Sequence, residues 1–509
     1  MALIGATPAL AEGPLSAIDW LDAAPIQTPA PISIAPGASF DEPKATQDAS
    51  VGDVTVTALD APSVGGVGLL PARVTGFPTD LWRGLDADRL QRLLADLPTQ
   101  QALPAAQSLV LTLLLAEAQP PQTGSADDFL AVRIDALTDR GAVGPAQEML
   151  RLIPNLESAV LMQRAMRLAL LFGETTELCA RVAGEPRLAP DLAQQVYCQA
   201  QTGAWSEAVT TLQAGRALGD IKPGRYERLL RFLDPDLAET LPPLPPPALN
   251  RLDAFDYRLM AASGEPVATS ALPVKFAFSD LSGDAGWKAK LEAAERLVRA
   301  GALSETQLFA AYTERKPSAS GGVWDRARAV QTLEQALEGN DADTIEKALE
   351  AAWPLMRQHG LAVPFARSYA DSLTRSTAYD APSETLIAIG LLSPDYERLA
   401  RDLGPSETTL RFAQSLALGS PAAPTSARDR AIAAAWDDTA ATMPQQVSRD
   451  LDSGHVGAVA LQALGRLSSG ADGNLQHLTQ GLRTLRALGL EDVARRAALQ
   501  AILALETRP

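Results

Sequence analysis

The sequence predicts an all-α protein: stacked antiparallel helical hairpins in two blocks, preceded by an N-terminal arm. Three observations carry that expectation. Ala and Leu dominate the apolar residues and aromatic residues make up only 5% of the chain; Ala and Leu favour helix, whereas strands draw on Val, Ile, Tyr and Phe. Glycines end successive apolar segments at a near-constant interval, at Gly141, Gly173 and Gly203. The chain's 509 residues exceed what one compact core ordinarily reaches, which favours several domains or an extended repeat array.

Residues 1–11, "MALIGATPALA", read as the remnant of an export signal. An apolar stretch ends in Pro8-Ala9-Leu10-Ala11, with small residues suitably placed for a cut before Glu12. Residues 12–75 read as a flexible arm rich in Pro, Ala and Thr. Two features interrupt it. "LSAIDWL", which holds Trp20, suits a short helical turn that docks on a partner or packs back on its own domain. "VGDVTVTAL" alternates as a short strand does.

The first helical block spans residues 76–235. "FPTDLWRGLDADRLQRLLADLP" opens it with Phe77 and Trp82; Thr79, Asp80 and Asp86 offer caps, and Leu90, Leu93 and Leu94 follow at helical spacing. "SLVLTLLLAEA" from Ser108 is the strongest apolar run. It is too short to cross a bilayer and reads as a core helix, so no integral membrane span is expected.

Three helix pairs follow, with their bends at Gly141, Gly173 and Gly203, spaced 32 and 30 residues apart. Glycine takes the left-handed conformation of a helix C-cap at least steric cost. Five residues beyond Gly141 and Gly203 come Ala146 and Ala208, small enough to let two helices approach, and Val143 and Trp205 are placed to fill the bend. This spacing resembles the tetratricopeptide-repeat family, whose unit is a pair of antiparallel helices. The resemblance implies a solenoid that binds proteins along its surface. It is repeated at Gly301, Gly339 and Gly489, the last followed by Ala494; Leu178, Thr306 and Thr344 stand where the pattern expects Ala.

Residues 236–285 read as a Pro-rich linker. Six prolines fall within about a dozen residues from Pro235, and proline breaks a helix interior. Val274, Phe276 and Phe278 alternate as a short extended segment. A second helical block covers 286–509, with a break near "LGSPAAPTSARDR".

Chemistry-bearing motifs are scarce. Cys179 and Cys198, the only cysteines, fall on neighbouring helices and are expected to form a structural disulfide worth about 3 kcal/mol; buried free thiols, or a redox or metal site, are the alternatives. His359, His455 and His477 have no His or Cys at ligand spacing. No nucleophile elbow or phosphate loop is present. The acidic pairs Asp127-Asp128, Asp437-Asp438 and Glu491-Asp492 stand at apparent helix starts, where they complement the helix dipole. No catalytic residue, cofactor or metal is therefore expected.

The net charge of −17, with no basic cluster, argues against nucleic acid as a partner. The expected partner is a protein, and Trp20, Phe77, Trp82 and Trp205 are the candidate contact residues. The expected function is a non-enzymatic scaffold or adaptor in the bacterial periplasm, in the setting of a motility or secretion assembly. The alternative is a peptidoglycan-active enzyme framed by a helical superstructure.

Overall fold

The computed structural model describes residues 64–505, apart from 155, 243, 245–247, 377–382, 405–409 and 438–442. The expected signal remnant, most of the arm, Trp20 and the alternating segment 51–59 lie outside the described residues. Among the described residues there are 26 α-helices and no β-strand.

Residues 64–75, expected as the end of the arm, are packed. A turn of 3-10 helix (Val64–Gly66) and α1 (Ala72–Thr75) flank the buried Val67 and Leu70. Leu70 pairs with Ala116 in an isolated parallel bridge. Then α2 (Ala87–Ala95) begins where the Asp86 carboxylate accepts a hydrogen bond from the Arg89 N–H, 2.8 Å, the cap its sequence calls for. The strongest apolar run becomes α3 (Pro104–Leu115), which buries residues on all sides, as a helix apolar all round must.

The glycine-hinged pairs are α4 (Ala126–Asp139) with α5 (Val143–Arg151), α6 (Ala159–Phe172) with α7 (Thr176–Gly184), and α8 (Leu192–Gln201) with α9 (Trp205–Leu218). Gly141, Gly173 and Gly203 take φ of 83°, 85° and 86°, where a Cβ would be strained.

The expected linker is helical over most of its described length. After α10 (Pro223–Leu233) come α11 (Pro235–Thr240) and α12 (Ala254–Ala262), and α12 packs on α6 and α10. The alternation of Val274, Phe276 and Phe278 does not make an extended segment. Val274–Phe276 is 3-10 helix running into α13 (Ala277–Ser282). Pro273 sets the entry, Phe276 is buried against Tyr257 at 5.1 Å, and Phe278 meets Phe172 edge-on at 4.5 Å. Burial of these rings, rather than residue alternation, decides the local conformation.

The second half contains α14 (Trp287–Arg299), α15 (Glu305–Thr313), α16 (Val323–Gly339), α17 (Ala342–Gln358), α18 (Ala362–Ser376), α19 (Glu384–Leu392) and α20 (Tyr396–Asp402). It continues through α21 (Arg411–Ala417), α22 (Ala427–Trp436), α23 (Gln445–Asp452), α24 (Val456–Ala471), α25 (Leu475–Ala487) and α26 (Glu491–Leu503). Asp437 follows the C-terminal end of α22 instead of opening a helix. At the α16–α17 bend the left-handed residue is Asn340, not Gly339; Asn tolerates that region through its short polar side chain.

The departures from the Ala spacing have a single cause. The fourth residue past the N-cap is fully buried in each second helix: Ala146, Cys179, Ala208, Leu308, Ile345 and Ala494. The cap stands one to three residues after the bend, so counting from the glycine lands on Leu178, Thr306 and Thr344, short of the buried position.

The chain also closes on itself. Helix α26 packs on α3, and α24 packs on both α2 and α3. The Ala105 N–H donates to Gln500 Oε1 (2.8 Å), and the Gly457 N–H donates to the Leu81 carbonyl (3.2 Å). Gln107 Nε2 donates to the Ala300 carbonyl at 2.7 Å. One hydrophobic core accordingly runs from Val67 to Leu503 through both expected blocks.

Candidate functional site

The described candidate contact residues separate into core and surface. Phe77 is 8% exposed and Trp82 only 1%. Trp82 lies edge-on to Phe129 at 5.4 Å and under the Arg133 guanidinium at 5.3 Å. Both rings are core, and α24, returning from the C-terminal end, lies against Trp82: a Cβ on Gly457 would stand 3.3 Å from it. Neither presents a surface to a partner, which corrects the expectation for them. Trp205 does the reverse. Val143 fills its bend, but Trp205 turns outward and is 50% exposed.

Trp205 opens the outer face of α9. Val209, one turn on, is 42% exposed; Leu218, at the far end and on the other flank of the helix, is 75% exposed. Between them Ser206, Thr210, Gln213, Ala214 and Ala217 are exposed too. The helix carries only two charges, Glu207 and Arg216, and Arg216 lies over the Tyr226 ring at 4.6 Å. The result is a largely uncharged helical face on a chain of net charge −17.

Cys179 and Cys198 come together. They join α7 to α8 in disulfide geometry, with Cα atoms 4.6 Å apart, and both are buried.

Two buried polar groups organise the interior. Glu295 on α14 accepts hydrogen bonds from the Tyr312 hydroxyl (2.6 Å) and from Arg326 Nε and Nη2 (2.7 and 2.8 Å), with Arg299 at 3.7 Å. Burial, followed by the Glu295 charge, pushes the Tyr312 hydroxyl well above its ordinary range. Both Glu295 oxygens are committed, so the group ties α14, α15 and α16 together. Arg133 on α4 is buried without a carboxylate. Its Nε and Nη2 donate to the Leu114 carbonyl (3.0 and 2.8 Å), Nη2 also to Ala116 (2.8 Å), and Nη1 to Val67 (2.6 Å). Burial pushes its ionisation down to about 9.

A cleft of about 320 Å³ opens beside α6. One wall is a face of α6, carrying Gln163, Arg167, Leu170 and Leu171. Asp191 and Gln194 from the start of α8 and Asp253 before α12 form the other, and Arg251 and Lys275 stand at the sides. Arg225 on α10 holds the second wall: it reaches Asp191 (3.6 Å), Asp253 (2.5 Å) and Asp256 (3.0 Å). Burial acts against the charge of Arg225, but the hydrogen bonds and charges of Asp256 and Asp253 prevail and raise its pKa above the ordinary value. Sequence reasoning missed this cleft. Its residues come from the first helical block and from the expected linker itself, and no spacing rule joins Gln163 to Arg251.

Among the described residues no group of His, Cys, Asp or Glu could hold a metal ion, and no helix is long and apolar enough to cross a membrane. Compared with protein-family models, with curated proteins and with solved structures, the chain matches none.

Proposed function

We propose that this chain is a non-enzymatic protein-binding scaffold: a tetratricopeptide-like helical array of the bacterial envelope that holds a partner protein within a motility or secretion assembly. The observation that carries the reading is the outer face of α9, where Trp205 stands half exposed beside Val209 on a helix almost free of charge. Interface centres are depleted in charge and enriched in tryptophan. The solenoid part of the reading is supported by the glycine bends and by the shared buried position four residues past each cap. The cysteine pair supports export, because disulfides persist in oxidising compartments.

The test compares crosslinked pull-downs from envelope extracts using the wild-type chain and Trp205→Ala as bait. The substitution should remove the specific partner band while leaving the helical circular-dichroism spectrum unchanged. Equal capture by both baits would refute the α9 reading.

A further inference from the structure

We infer that the cleft between α6, α8 and α12 is a binding site for a short peptide segment bearing one carboxylate beside an apolar side chain. The inference does not depend on the α9 face, and either can fail without the other.

The charge of the ligand follows from what the cleft leaves unspent. Arg167 is committed to Asp135 (2.7 Å) and Lys275 to Asp139 (2.9 Å). Asp191 and Asp253 both face Arg225, and each also caps its own helix, accepting from the Gln194 N–H (2.7 Å) and the Asp256 N–H (2.8 Å). Arg251 is different. It is exposed and its side chain has no hydrogen-bond or ion-pair partner among the described residues. Arg251 is therefore the lining cation that stays without a partner among the described residues, and a carboxylate meets a guanidinium with two parallel hydrogen bonds.

The apolar part of the lining sets the second requirement. Leu170, Leu252, Ala254 and Phe255 line the cleft and are buried, so the complementary group is an apolar side chain. The two amides set the third. Gln163 Oε1 accepts from Arg164 (3.2 Å), which leaves its NH2 group as a donor; Gln194 Nε2 donates to Asp191 (3.1 Å), which leaves its oxygen as an acceptor. One free donor and one free acceptor complement the C=O and N–H of a peptide group. A volume of about 320 Å³ stands near the lower end of small-ligand sites and matches a dipeptide-sized segment.

The experiment is calorimetric titration of the full chain with N-acetyl-alanyl-leucine and with its C-terminal amide, which has the same shape without the charge. The acid should bind about tenfold more tightly, the worth of one charge-assisted contact. Arg251→Gln should bring the acid down to the affinity of the amide, while Arg251→Lys should retain part of the difference. On the wild-type chain alone, added salt should weaken the acid and leave the amide unchanged, a readout that needs no variant. A third probe, N-acetyl-aspartyl-leucinamide, separates a side-chain carboxylate from a chain terminus as the natural source. Equal binding of acid and amide, or no binding of any probe at millimolar concentration, would overturn the inference.

Discussion

Cys179 occupies in α7 the place that Ala146 holds in α5 and Ala208 in α9, and from it reaches Cys198 on α8 with 4.6 Å between Cα atoms. The position is fully buried in each second helix, and in these three helices it holds a small residue, so a covalent tie there is sealed from solvent. Replacing both cysteines by alanine should preserve the packing and remove only the tie. Closing a 19-residue separation is worth about 3 kcal/mol in the chain-entropy model. Urea unfolding of Cys179→Ala/Cys198→Ala should show that loss with unchanged native helicity, and reductant should lower the midpoint of the wild type but not of the variant.

The two buried arginines of α4 and its C-cap should respond in opposite ways. Arg133 gives all its bonds to carbonyls of Val67, Leu114 and Ala116, so Arg133→Met orphans acceptors and should cost about 3 kcal/mol. Arg140 is equally buried, but its Nε and Nη2 find no partner among the described residues. Arg140→Met should be neutral or stabilising by about 1 kcal/mol. Chemical unfolding of the two variants decides it; a large destabilisation by Arg140→Met would contradict the account.

Acid should loosen the seam between α2 and the α23–α24 pair. Asp450 faces Arg89 of α2 at 3.6 Å, His455 Nδ1 at 3.2 Å, and the Gln446 and Gln462 amides at 3.2 and 3.1 Å. Burial alone would raise its pKa, yet hydrogen bonds from Gln446, His455 and Gln462, with the Arg89 charge, hold it below the ordinary carboxylate value. A depressed folded pKa means the contribution is complete above the unfolded value, about 3.9, and is lost as pH falls through the folded one. Asp450→Asn should therefore flatten the acid limb of the stability–pH curve. An identical limb in the variant would show that other carboxylates govern it.

The same seam is sensitive to one methyl group. A Cβ at Gly457 would stand 2.7 Å from the Leu81 carbonyl oxygen, which is backbone and has little room to yield. Gly457→Ala should cost about 1–3 kcal/mol and expose α2 and α3 to protease before the rest of the chain is cut. Gly465→Ala, whose Cβ would meet only Leu97 Cδ2 at 3.7 Å, is the control on the same helix.

Local features were legible in the sequence because their causes are local. Gly141, Gly173 and Gly203 stop helices through their own backbone freedom, Asp86 caps its own helix, and the run of α3 is apolar on every side. The placement of Trp82 and Trp205 was not legible. Both stand near helix starts; one is covered by α24 and the other is not, and only the path of residues hundreds of positions away decides which. The hydrogen bond between Ala105 and Gln500 spans 395 residues, and no periodicity announces it. The cleft was hidden for the same reason, since Gln163, Asp191 and Arg251 have individually ordinary surroundings in sequence. The linker misled through composition: prolines do break helices, but helix resumes at Ala254, and Phe276 and Phe278 still find a core.

Because α3 is covered by α24 (Val456–Ala471) and α26 (Glu491–Leu503), part of the greasy surface of an early helix stays bare until the last fifty or so residues are in place. A fragment that lacks α24–α26 should therefore leave α3 uncovered and aggregate.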